Sequence, residues 1–149
     1  MKLEEIRFNH TGASILGFPI SLTPTAQDFD LAFEGEVIRD IPPLNGRQLR
    51  ICDSKGLSWL VDIEHKLVLW LDILLAPLRY RRMSDMDPSG CFTGKIRIGQ
   101  YAVQGPFSFE TGELVRKVTV DGLSVSLLPD EKQMRAVSVA FVQNESLLK

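Results

Sequence analysis

The chain contains two histidines, His10 and His65, and both fall in stretches that read as turns. Neither stands in an HxH or HExxH pattern or beside a cysteine, so the spacing supplies no zinc site. Cys52 and Cys91 lie far apart in sequence and form no CxxC pair. They read as buried or half-buried thiols of a reducing compartment, not as a disulfide framework. Nothing flanking either cysteine supports a Cys–His nucleophile pair. The phosphate-binding GxxxxGK loop, the dinucleotide-binding GxGxxG turn and the GxSxG nucleophile elbow are all missing. Asp53-Ser54-Lys55-Gly56 lacks the alternating acidic ligands of a calcium loop. The expectation is therefore no catalytic residue, no metal and no cofactor.

What remains is charge placed to bind. Asp28, Asp30, Glu34 and Glu36 form the densest acidic set and fall on or just after one short helix. Such a face is either solvated or an acidic patch that speeds and orients docking of a cationic partner. Arg79, Tyr80, Arg81 and Arg82, followed by Asp85 and Asp87, form a mixed-charge loop, and tyrosine and arginine are common interface anchors. Three arginines without a wider basic field argue weakly for phosphate or RNA. The two segments are the candidate partner-binding surface.

The elements that must hold these residues are mostly strands. Ile6-Arg7-Phe8, Ser14-Ile15-Leu16 and Ile20-Ser21-Leu22 alternate around the turns His10-Thr11-Gly12 and Gly17-Phe18-Pro19, giving a small N-terminal meander. Thr25 and Asp28 have capping-box spacing. Phe29, Ala32 and Phe33 then share one helical face, and Gly35 stops the helix. Pro42-Pro43 and Asn45-Gly46 make an exposed connection. Gln48 to Cys52 and Leu57 to Asp62 flank a hairpin at Asp53 to Gly56, and Trp59 and Trp70 read as core. Leu67 to Leu75 is the most apolar stretch and reads as the central strand.

Pro77 to Gly90 reads as a mobile loop. Phe92 to Ile98 alternates, with Lys95 and Arg97 outward. A weak helical turn falls at Thr111 to Val115. Val118 to Val120, Asp121-Gly122 and Leu123 to Leu127 form a second hairpin. Pro129 to Lys132 reads as a loop, Ala136 to Val142 as the last strand, and the tail from Gln143 as frayed. Arg97-Ile98-Gly99-Gln100-Tyr101-Ala102 echoes Ile15-Leu16-Gly17-Phe18-Pro19-Ile20, strand–glycine turn–strand in both, which raises the question of a duplication.

Bulk properties bound the class. The 149 residues suit a single domain spanning residues 1–149, and 44% hydrophobic with 24% charged residues is ordinary for a globular chain. A net charge of −2 lacks the basic excess of a nucleic-acid binder. Glu4 and Glu5 occupy the place where a signal peptide needs an apolar run, and Leu67 to Leu78 is too short for a span and is broken by Asp72 and Pro77. The expectation is an α+β protein, mainly antiparallel β-sheet with one short helix packed on it, in the cytoplasm and away from membrane and nucleic acid.

Several of these segments together resemble a family of small bacterial immunity proteins encoded beside polymorphic or secreted toxins. The similar features are the early strand–Gly–strand turn at Leu16-Gly17-Phe18, the short helix ending at Gly35, the hairpin Asp53-Ser54-Lys55-Gly56-Leu57, and the strand Phe92-Thr93-Gly94-Lys95-Ile96-Arg97-Ile98-Gly99. The chain departs from the pattern at Cys52, where an aromatic residue is expected, and at Pro42-Pro43. The resemblance implies stoichiometric neutralisation of a cognate protein toxin that acts in the cytoplasm. No contact residue carries over, because immunity surfaces diverge with their toxins. A homodimer is compatible with the sequence. The rival readings are a structural or accessory subunit of a bacterial assembly, and a small hydrolase or ligand-binding protein.

Overall fold

The computed structural model describes residues 4–9, 12–75, 86–99, 101–103, 117–120, 122–130 and 133–148. It begins with the expected meander, β1 (Glu5–Asn9), β2 (Gly12–Ile15) and β3 (Phe18–Ile20). Alternation buries Ile6, Phe8, Ile15 and Ile20 on one side. Helix α1 (Ala26–Ala32) follows with its capping box complete: Thr25 Oγ1 accepts from Asp28 N at 3.2 Å, and Asp28 Oδ2 accepts from Thr25 N at 2.9 Å. The helix caps at Phe33, and Gly35, at φ +86°, lies two residues beyond that cap.

The chain then builds β4 (Arg39–Asp40), β5 (Arg47–Cys52), a 3₁₀ turn at Asp53–Lys55, β6 (Leu57–Asp62) and β7 (Leu67–Leu74). After a crossing segment come β8 (Lys95–Ile98), β9 (Tyr101–Val103), β10 (Lys117–Val120), β11 (Leu123–Asp130), β12 (Gln133–Phe141) and helix α2 (Val142–Leu147). These strands form a five-stranded sheet ordered β3-β2-β1-β8-β9 and a seven-stranded sheet ordered β10-β11-β12-β7-β6-β5-β4. Every pairing among the described residues is antiparallel except β1 with β8. The fold is α+β, mainly antiparallel sheet with a short helix packed on it. β7, the most apolar strand, is the middle strand of the larger sheet.

One continuous core joins the two sheets and α1. Ile6, Phe8, Ile96 and Ile98 come from the smaller sheet, Trp59, Leu71, Ile73, Val125, Val139 and Phe141 from the larger, and Phe29 and Phe33 from the helical segment. Phe33 stacks on Trp59 with ring centres 4.3 Å apart, and Phe29 meets both Trp59 (5.5 Å) and Phe141 (6.2 Å). So short a helix is held by this aromatic packing and not by its propensity.

Two sequence expectations are corrected. The tail is not frayed at Gln143: Asn144 is fully buried, and its Nδ2 donates to Pro24 O (3.0 Å) and Val68 O (2.8 Å), which fastens α2 to the larger sheet. Pro129 and Asp130 belong to β11, where a register shift between Leu128 and Pro129 admits the proline. Of the loop expected at Pro77 to Gly90, residues 86–90 are strapped to the β5–β6 turn, while 76–85 lie outside the described residues, as does Thr111 to Val115.

Two features of the sheets bear on the duplication question. β8 lies beside β1 with Ile96 against Ile6, Arg97 against Arg7 and Ile98 against Phe8. In the larger sheet the meander β5–β6–β7 is followed by β12–β11–β10, with β7 and β12 antiparallel through Asp72 and Ser138. This order is that of two meanders related by a two-fold through the Asp72–Ser138 pair. The shift along the chain that carries Asp72 onto Ser138 also carries Gly56-Leu57-Ser58 onto Gly122-Leu123-Ser124. Both glycines are left-handed, at φ +68° and +76°. The parallel β1–β8 pair does not follow that two-fold, which would set equivalent neighbouring strands antiparallel, so the repeat is confined to the larger sheet.

Candidate functional site

The acidic set assembles around one arginine. Arg50 on β5 donates from Nε to Asp40 Oδ1 at 2.8 Å and from Nη1 to Asp30 Oδ1, linking β4 to α1. Its guanidinium lies 5.9 Å from the Trp59 ring centre. Burial works against the charged form, but hydrogen bonds and charge from Asp40 and Asp30 prevail and hold the Arg50 pKa above its ordinary value. Asp28 is occupied by the capping box, and Glu36 Oε2 accepts a long 3.5 Å bond from Ser54 Oγ. Glu34 is exposed and its side chain has no ion pair among the described residues. The structure therefore gathers Asp30 with Asp40, a carboxylate sequence reasoning missed. Asp40 has no local signal; only the β4–β5 pairing of Asp40 with Arg50 reveals it.

Of the second set, Arg79, Tyr80, Arg81, Arg82 and Asp85 lie outside the described residues. Asp87 belongs to a strap over residues 86–91. Arg39 Nη2 donates to Asp87 O at 3.1 Å. The same guanidinium grips Asp53 twice, Nε to Oδ2 at 3.0 Å and Nη2 to Oδ1 at 3.1 Å. Asp53 Oδ1 also accepts from Ser89 N (2.9 Å), and its carbonyl from Gly90 N (3.0 Å). The Arg39 hydrogen bond and charge, with the Ser89 amide, hold the Asp53 carboxyl below the usual carboxylate range.

The remaining motif residues are structural in the same sense. A side chain at Gly56 would place its Cβ 2.5 Å from Phe92 N, and Phe92 N in turn donates to Leu74 O at 2.7 Å. Gly94 lets β8 begin against Glu4, whose carbonyl accepts from Lys95 N at 3.0 Å. Gly99, at φ +59°, donates from its amide to Phe8 O at 2.7 Å. Cys52 is a buried thiol whose pKa burial raises, and burial likewise raises half-buried Cys91. Raised thiols are poor nucleophiles.

A polar row crosses the face of the larger sheet opposite α1. Ser58, Asp72, Ser138 and Ser126 stand side by side on β6, β7, β12 and β11, and buried Ile51 of β5 ends the row. Burial raises the Asp72 pKa and nearby Asp87 adds to the rise, while a Ser138 hydrogen bond opposes it. A charged side chain in the most apolar strand was the available signal. Because the folded-state value lies above the unfolded one, the folded form binds the extra proton. Stability therefore falls as pH rises from the ordinary carboxylate value through the raised one. Asp72→Asn is expected to raise the melting midpoint at pH 7 and to flatten its pH dependence between pH 4 and 7; a lower midpoint at pH 7 would show that the carboxylate is fully satisfied.

Among the described residues no imidazole joins this row: His65 is exposed, with Nδ1 2.8 Å from Asp62 Oδ2 in the β6–β7 turn. His10 lies outside the described residues. Among the described residues no group of three His, Cys, Asp or Glu side chains could hold a metal ion, and no helix is long and apolar enough to cross a membrane. No family model, curated protein or solved structure matches this chain.

Proposed function

We propose that this chain is a protein-binding module, an immunity protein that neutralises a cognate toxin in the cytoplasm by stoichiometric occupation of the toxin's surface. The observation that carries the reading is the use made of the motif residues. Asp53, Gly56, Phe92, Gly94 and Gly99 all serve to lock the crossing segment onto the β5–β6 turn and to seat β8 on β1. A pattern of that kind specifies a scaffold and leaves the surface free to vary, which suits a protein that must match one partner. The contact surface under this reading is the acidic α1 region, Asp28, Asp30, Glu34 and Glu36, together with the Arg79 to Asp87 segment.

Two observations bear on the rivals. Pro19 on edge strand β3 and Pro42-Pro43 beside edge strand β4 blunt two sheet edges, which works against assembly by edge pairing. The raised carboxyl of Asp72 favours a small hydrolase or ligand-binding reading, and rests on that one residue.

The test is affinity capture of the tagged full chain from its host, followed by titration of the captured protein's activity. One stoichiometric partner whose toxic activity vanishes at a one-to-one ratio is the expected result. Recovery of the chain alone, or a partner whose activity is indifferent to it, would overturn the proposal.

A further inference from the structure

The two most exposed large apolar side chains among the described residues are Val37 (86%) and Leu44 (74%). Both lie on one short edge of the larger sheet, on either side of β4. A lone exposed leucine needs no explanation, but two such side chains on one edge do. Leu44 is fixed by a two-residue hairpin: its amide donates to Arg47 O at 2.9 Å, Arg47 N returns a bond at 3.1 Å, and Asn45 and Gly46 take φ +53° and +75°. Left-handed backbone at both central residues is the turn favoured for two-residue hairpins, because its twist matches that of the flanking strands. Ile63, also exposed, is tied beside it through its amide to Gly46 O at 2.9 Å. Pro42 and Pro43 stiffen the approach and bar a new strand from pairing there. A partner at this edge must therefore be held by side chains.

Among the described residues the charge around this edge is net negative: exposed Arg47, bridged to Leu44, stands opposite Asp62 across β5 and β6, and its charge acts on that carboxylate. Arg39, the cation of β4, is engaged by Asp53 on the opposite face. Arg50 is shared between two carboxylates, Asp30 and Asp40, so that group keeps a negative excess. Exposed Leu31 and Glu34 extend the same surface onto the helical segment.

We infer that the edge formed by Leu31, Glu34, Val37, Asp40 and Leu44 is the docking surface for a cationic protein partner that offers apolar pockets to Val37 and Leu44. This rests on the immunity reading and deepens it, since it names the face and the chemistry of the toxin surface bound. Apolar anchors, Leu44 preorganised by its turn, limit dissociation, and the net negative charge steers encounter.

The experiment uses the protein recovered stoichiometrically with the unmodified chain, repurified, with association and dissociation rates read at low and moderate salt. Val37→Ser with Leu44→Ser is expected to raise the dissociation rate about tenfold or more with an unchanged melting midpoint. Glu34→Gln is expected to slow association at low salt and to weaken its salt dependence. Amide exchange across residues 37–46 should slow in the complex. Wild-type rates in folded variants, with no added protection at 37–46, would overturn the docking surface while leaving the immunity reading standing. A captured protein that fails to bind the unmodified chain after repurification would overturn both.

Discussion

Gly94→Ala is expected to destabilise the fold by about 3 kcal/mol or more, although glycine-to-alanine is the smallest enlargement possible. The cause is space, not backbone conformation. A Cβ at Gly94 would stand 2.2 Å from Glu4 O and 2.7 Å from the Phe92 ring. Neither neighbour is free to retreat. Glu4 O is the acceptor of the Lys95 amide at the start of the β1–β8 pairing, and Phe92 is buried in the core. Gly35 is the internal control: it sits at φ +86°, and a methyl group added there would meet nothing within 4 Å, so alanine costs only the left-handed strain of about 1 kcal/mol. Urea midpoints followed by far-UV circular dichroism separate the two. A Gly94→Ala variant no less stable than Gly35→Ala would mean that β8 is not clamped to β1 in solution.

That contrast also marks what the sequence makes legible. Elements closed by neighbours in the chain are readable: Thr25 with Asp28, the Asn45-Gly46 turn, the Asp53 to Gly56 hairpin and the apolar run of β7 all carry their reasons within a few residues. What depends on partners far along the chain is not. The parallel pairing of β1 with β8 unites residues some ninety positions apart, and nothing local to Glu5 or Lys95 announces it. Asn144 reads as a polar tail residue until Pro24 O and Val68 O are found to be its acceptors. The acidic cluster was visible as composition, but its organisation was not. Arg50 looks like any outward strand residue, yet it joins Asp30 to Asp40 and so turns scattered carboxylates into one surface. The exposure of Val37 and Leu44 was equally hidden, because burial is a property of the whole fold.

The second large effect lies beneath that surface. Trp59→Ala is expected to cost about 3–5 kcal/mol, a large share of the roughly 5–15 kcal/mol typical of a domain, because the side chain is fully buried between Phe33 and Phe29 and the space it leaves cannot be refilled. Trp59→Phe separates two contributions. The phenyl ring keeps most of the aromatic packing and removes Trp59 Nε1, a buried donor with no partner among the described residues. Deleting an unsatisfied donor is favourable, so this change should cost distinctly less than its lost volume suggests. Chemical denaturation reads both variants. Equal losses for Ala and Phe would show that the indole nitrogen finds a partner, such as an ordered water, in solution. The same series reaches function. Phe29 and Phe33 hold α1 on Trp59, and α1 carries Asp30 to Arg50, so the position of the acidic surface is set by this aromatic stack. Trp59→Ala should therefore weaken association with a cationic partner even at temperatures where the variant remains folded, whereas Trp59→Phe should bind as the unmodified chain does. Retained affinity in folded Trp59→Ala would place the partner's contacts away from α1.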